Sequence, residues 1–293
     1  MKSFIGVIIS LTSLISIFVF LVLTTINILF LSPKFYINSL RKPGVYQNLE
    51  KGLKISARNS LKTQLSNQGV SYDNLTTGER QIVDAEIESI ISPILVNNIQ
   101  DFSEKNIVRI IDYVNGKTKE LIIYLPIQKW GLAKEVIDQL PNYLKSENIN
   151  IQNLATDHPE LNINVPQLQG FYNLGKKLKN YWLISLALVI LLLFLNLIIV
   201  GPKNKFIKTG KVITLSGVIT LFFAWVIRIA SNTFGQNIAA RSEAADILAG
   251  TIMSTLLTNV FILWLILAIV LIITGLALFN IKPRTSDSKK ISP

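Results

Sequence analysis

The chain has no cysteine and a single histidine in 293 residues. Without thiols there can be no disulfide, thiolate nucleophile, iron–sulfur cluster or cysteine-bearing zinc site. A lone imidazole leaves little for other metal centres, so we expect neither cofactor nor metal. Lack of disulfides does not fix a compartment, because a domain of ordinary size folds without them. Charge is sparse too, at 16% of positions, and is missing altogether from several long runs. What replaces it is apolar: half of the residues are hydrophobic and mean hydropathy is +0.44. That composition excludes a disordered chain and an ordinary soluble domain.

A hydrocarbon core of about 30 Å needs roughly 20 apolar residues in helix, because every backbone N–H and C=O must be paired within the segment. Four stretches qualify: Phe4–Phe30, Trp182–Val200, Val212–Ala230 and Leu256–Ile281. We therefore expect a multi-pass α-helical membrane protein with four transmembrane helices. Lys2 precedes the first run as it would in a signal peptide. The run is too long for a signal h-region, however, and leads into Leu31-Ser32-Pro33, so residues 1–31 read as an uncleaved anchor.

Cations in short connections resist translocation and set orientation. Gly201–Lys211 holds Lys203, Lys205, Lys208 and Lys211, and the basic tail 282–293 adds Lys282, Arg284, Lys289 and Lys290. These segments and the N-terminus are expected to be cytoplasmic in a plasma (inner) membrane, the tail disordered, and residues 32–181 outside. Lys34, Arg41, Lys42, Lys176, Lys177 and Lys179 pull the other way, but they flank a long loop, where charge is a poor guide. Residues 31–181 carry 18 of the cations and 15 of the acids, so most of the +11 surplus lies near the membrane. Contact with anionic lipid accounts for it, and no nucleic-acid partner is implied.

Residues 32–181 should form a mainly helical extracytoplasmic domain with minor β structure, inserted between the first two spans. Val45, Leu49, Leu53, Ala57, Leu61 and Leu65 recur every four residues after Pro43-Gly44, which predicts an amphipathic helix. Thr76-Thr77-Gly78-Glu79 is a capping-box pattern opening a second helix, and a third follows Ser92-Pro93 and runs to Gly116. Leu121–Leu125 reads as a strand ended by Pro126, Trp130–Leu144 as helix. Ile149–Ile151 and Leu161–Val165 alternate and could pair with Leu121–Leu125. From Gln167 no proline interrupts the chain until Gly201, so one helix should run from this domain through residues 182–200. Tyr181, Trp182, Lys176, Lys177 and Lys179 would anchor it at the interface.

Candidate chemistry is thin. Gly170–Lys176 matches the first seven positions of a phosphate loop, but Lys177 stands where Ser or Thr must hold magnesium, and a helix is expected instead. Asp157-His158-Pro159-Glu160 reads as a solvated turn rather than a metal site, and Asp84 with Glu88 as a hydrated pair on a helix face rather than an acid/base couple. No His or Asp lies in an apolar run, which argues against intramembrane proteolysis. Arg228 is the one charge inside a predicted span. It should snorkel to headgroups or pair with Asp246 or Glu243 as an intramembrane ion pair. The Ala240, Ala244, Ala245, Ala249 and Gly250 series favours close helix approach, with Ser242–Leu256 extending the fourth helix to dock on the inserted domain.

The leading expectation is a non-enzymatic membrane protein whose exported helical domain binds a protein partner, a second copy or an envelope component. A transporter or channel subunit with a path near Arg228 is the alternative, and an extracytoplasmic enzyme without a recognisable motif a further one.

Overall fold

The structure is a computed structural model that describes residues 2–67, 69, 71–199, 205–239 and 244–281. In chain order the helices are α1 (Lys2–Thr25, continued by a π-helical turn, Ile26–Phe30), α2 (Pro33–Leu40), α3 (Val45–Asn67), α4 (Thr77–Ile91) and α5 (Val96–Val114). Strand β1 (Ile122–Tyr124), α6 (Lys134–Gln139), strand β2 (Asn148–Asn150) and α7 (Ile151–Asp157) follow. The chain then enters α8 (Val165–Ile199), α9 (Lys205–Ala239) and α10 (Ala244–Phe279). Among the described residues, four helices are long and apolar enough to cross a membrane: Phe4–Phe30, Val165–Ile199, Phe206–Thr233 and Met253–Phe279. This is the pattern of a multi-pass helical membrane protein. The third apolar helix begins earlier than its charge pattern suggested, so Lys208 and Lys211 lie within its first turns.

The chain divides into two compact units. One comprises Met1–Leu29, Lys177–Ser231 and Leu257–Pro293. Its surface is apolar: Leu11, Phe194, Phe222, Trp225 and Ile273 are each more than half exposed. Its interior holds buried Ser13, Thr24, Thr25, Asn196, Ser216 and Thr220. Such an inside-out distribution would aggregate in water and suits a hydrocarbon solvent. Asn196 Nδ2 on α8 donates to Ser13 Oγ on α1 (2.8 Å), while Trp182 Nε1 donates to Thr24 Oγ1 (3.0 Å) and Trp264 Nε1 to Thr25 Oγ1 (2.7 Å). Helices α9 and α10 close on small residues at heptad spacing. A Cβ added to Gly210 would lie 2.6 Å from the Gly275 carbonyl oxygen, and one on Gly217 3.0 Å from that of Ala268. Ala224, one heptad on, is fully buried. Backbones this close gain dispersion contacts that larger residues would forbid.

The other unit comprises Phe30–Lys176 and Asn232–Leu256. Leu40 of α2, Val45 and Tyr46 of α3 and Ile99 of α5 form its buried cluster, with Leu49, Ile94 and Ile107 against it. The capping box is present: Glu79 N–H donates to Thr76 Oγ1 and Thr76 N–H to Glu79 Oε2 (2.8 Å). The β-strands pair antiparallel with Ile123 opposite Ile149. Gly175, inside α8, lets that helix lie directly on the end of α5, for a Cβ there would fall onto the Val114 carbonyl oxygen.

Two elements differ from expectation. Trp130–Leu144 is not one helix: Ile127–Trp130 is a 3-10 turn, Gly131 takes a left-handed φ of +75°, and α6 stops before Pro141. Leu161–Val165 is not a strand, because Pro159–Leu161 closes a 3-10 turn and Asn162 adopts φ +50°. Period two in five residues carried no weight against those turn formers. The fourth apolar helix does extend below Leu256, starting at Ala244, and residues 232–256 cluster with the inserted unit. One tie is Lys42 Nζ donating to Thr255 Oγ1 at 3.1 Å.

Candidate functional site

Helix α5 is the organising element of the inserted unit, packed by α2, α3 and β1. Its apolar stripe is interrupted by Asn106, buried to 6% exposure. The Asn106 amide repays that burial by mimicking a strand neighbour: Nδ2 donates to the Tyr124 carbonyl (2.8 Å) and Oδ1 accepts from the Tyr124 N–H (2.7 Å). Strand β1 is thereby hooked to the helix, and the Tyr124 side chain is fixed over its flank. The Tyr124 hydroxyl donates to Asp101 Oδ2 (2.9 Å), and Lys105 Nζ donates to the same oxygen (3.0 Å). Lys105 and Arg109 both lie over the Tyr124 ring, 4.1 and 5.5 Å from its centroid.

Two grooves flank this helix. The first, about 530 Å³, is lined by Ile37, Asn97, Gln100, Asp101, Glu104, Lys105 and Val108. Its acids are spoken for. Glu104 takes a two-pronged Arg41 guanidinium, Nε to Oε1 at 2.8 Å and Nη2 to Oε2 at 2.5 Å. Gln100 Nε2 (2.9 Å) and the Tyr46 hydroxyl (3.2 Å) also donate to it. The Arg41 fork holds the Glu104 carboxyl below its ordinary range against the opposing effect of partial burial. Burial, with the nearby carboxylate, pushes the Tyr46 hydroxyl well up.

The second groove, about 600 Å³, is lined by Arg109, Asp112, Thr118, Lys119, Glu120, Ile122 and Asn148. Its carboxylates are also engaged, Asp112 by Lys117 Nζ at 2.7 Å and Glu120 by Asn150 Nδ2 at 2.8 Å. Arg109 is different. Among the described residues it has no carboxylate partner, and its Nη1 is buried with no hydrogen-bond acceptor. A guanidinium carries five donors and stays charged; the sealed Nη1 is out of a ligand's reach, and what this wall offers an anion is the charge and the remaining donors.

Residues singled out by sequence fall elsewhere. Arg228 is exposed on α9, its Cζ 5.5 Å from the Phe261 ring. Glu243 and the side chain of Asp246 lie outside the described residues, and so does the ion pair expected of them. Tyr181, Lys176, Lys177 and Lys179 are exposed, whereas Trp182 is turned to Thr24 and stacked near Phe20. Gly170–Lys176 is a helical turn of α8, not a loop. Asp84 and Glu88 tie α4 to α3 through Lys62 (3.5 Å) and Arg58 (2.5 Å), and the Tyr72 hydroxyl holds the Asp84 carboxyl down. His158 Nδ1 lies 2.8 Å from Glu160 Oε1, its ring against Tyr143. Among the described residues no three metal-ligating side chains converge.

The Arg109 groove escaped the sequence because its lining comes from α5, the turn before β1 and β2, none carrying a motif. One signal was present: a polar Asn106 on the buried stripe of a helix implies a backbone partner there. The chain matches no protein-family model, no curated protein and no solved structure.

Proposed function

We propose that this is a non-enzymatic protein of the plasma membrane whose 32–181 segment stands outside and binds an anionic partner, a protein or an envelope component, in the groove walled by Arg109. Both termini are then cytoplasmic. The observation that carries this reading is the spare guanidinium: Lys117 neutralises Asp112 and Asn150 holds Glu120 by a hydrogen bond, while among the described residues no carboxylate pairs with Arg109 or Lys119. Anion capture by such a fork is directional as well as strong. A conducting role draws less support, since Ser13, Thr24, Thr25 and Asn196 in the spanning unit hydrogen-bond to one another or to neighbouring helices.

A photoreactive benzoylphenylalanine at Thr118, on the exposed groove rim, tests the reading in living cells. We expect a discrete adduct at Thr118 and none at Ile55, an exposed site on α3. Arg109→Glu should abolish the adduct without lowering the melting temperature. An adduct indifferent to Arg109→Glu, or equal yields at both positions, contradicts the assignment.

A further inference from the structure

A different cavity lies on the spanning unit. Between α1 and α9 runs a slot of about 330 Å³ lined by Gly6, Val7, Ser10, Leu11, Leu14, Lys208, Val212 and Leu215. We propose that it holds one acyl chain of an anionic phospholipid drawn from the surrounding bilayer, with the headgroup phosphate on Lys208. Gly6 and Lys208 each stand two residues inside their apolar helices, which begin at Phe4 and Phe206. The cation thus marks the bilayer edge. From Gly6 to Leu14 the slot descends about 12 Å at the helical rise, close to the half-thickness of a 30 Å hydrocarbon core.

The lining matches that occupant. Below Lys208 it is aliphatic apart from Ser10, whose hydroxyl is already used on the Gly6 carbonyl (2.8 Å) and the Asn196 side chain (3.1 Å). Nothing in the slot asks a polar ligand for a hydrogen bond until its mouth. There, Lys208 is exposed and without an acid partner among the described residues, and no Asp or Glu occurs in the sequence between Gly201 and Lys211. Lys211, one turn further along α9, is also exposed and adds positive charge near this edge. An apolar channel under an unopposed ammonium selects a single-tailed grip on an acidic amphiphile. A Cβ built on Gly6 meets nothing within 4 Å, so a larger side chain there has open space to occupy at the slot.

Native mass spectrometry of the full chain, released from zwitterionic nanodiscs, reads this directly with three probes of matched chain length: phosphatidylglycerol, phosphatidylcholine and oleate. We expect a one-to-one phosphatidylglycerol adduct favoured over phosphatidylcholine by about fivefold, the preference one lysine near an acidic headgroup confers. Lys208→Gln should erase that preference while retaining some adduct. Gly6→Leu, which fills the slot without a clash, should remove the adduct itself; an unchanged melting temperature of lipid-free protein confirms the bundle is intact. Equal retention of both phospholipids, or a preference that survives Lys208→Gln, overturns the headgroup assignment. An adduct that persists in Gly6→Leu overturns the slot, and oleate binding as well as phosphatidylglycerol makes the occupant a free fatty acid and overturns the proposal. None of these outcomes bears on the Arg109 groove.

Discussion

Asn106 and Glu104 lie two residues apart on α5 and stabilise the inserted unit by different physics. The Asn106 amide replaces a missing β-strand, so removing it strands the N–H and C=O of Tyr124 where water does not reach. Each unpaired backbone group costs about 1–3 kcal/mol. Asn106→Leu, which keeps the branching and the number of side-chain heavy atoms, should therefore lower the unit's stability by about 2–5 kcal/mol, measurable by thermal denaturation, although it increases apolarity. Glu104 acts through charge. Its carboxyl pKa is depressed in the folded state, chiefly by Arg41. Its stabilisation is thus fully present above the unfolded carboxyl value, near about 4.3, and is lost as pH falls through the depressed folded value. Melting temperature measured against pH should show an acid limb that becomes shallower in Glu104→Gln. An unaltered limb would mean that the Arg41 fork is too solvated to matter. Asn106 stands out in the sequence as a polar break in an apolar stripe, but neither its partner Tyr124 nor Arg41, the partner of Glu104, was legible, since both bonds join positions distant in the chain.

Elements were legible where one physical rule dominates. The every-fourth apolar stripe from Val45 and the Thr76–Glu79 box set α3 and α4 because local spacing and local hydrogen bonds suffice for them. Trp130–Leu144 and Leu161–Val165 failed because short periodicity competes poorly with Gly131, Pro141 and Asn162. The close contacts at Gly175, Gly210 and Gly217 were not legible, as a glycine in a helix reads only as a weakness until its neighbour is known. Two glycines make the point with opposite signs. Gly78, in the first turn of α4, has open space around it, so Gly78→Ala should stabilise by about 0.5–1 kcal/mol through helix propensity. Gly175→Ala drives a methyl into the Val114 carbonyl and should destabilise by about 1–3 kcal/mol. A pair of melting curves decides it, and a shift of the same sign for both would refute the close contact of α8 with α5.

At the scale of the whole molecule, the spans could be read from sequence because a bilayer tolerates only paired backbone and long apolar runs. The heptad of Gly210, Gly217 and Ala224 that closes α9 on α10, and the membership of residues 232–256 in the inserted unit, needed three dimensions. The orientation of the chain rests on its lysines, and with it the claim that the Arg109 groove faces the outside. The natural sequence has no cysteine, so a single introduced thiol reports its own side of the membrane. Ser60→Cys, on the exposed face of α3, should react with a membrane-impermeant maleimide in intact cells, and Asn204→Cys, between the second and third spans, only after permeabilisation. The reverse pattern, with Asn204→Cys labelled from outside and Ser60→Cys protected, would place the groove in the cytosol and contradict the account.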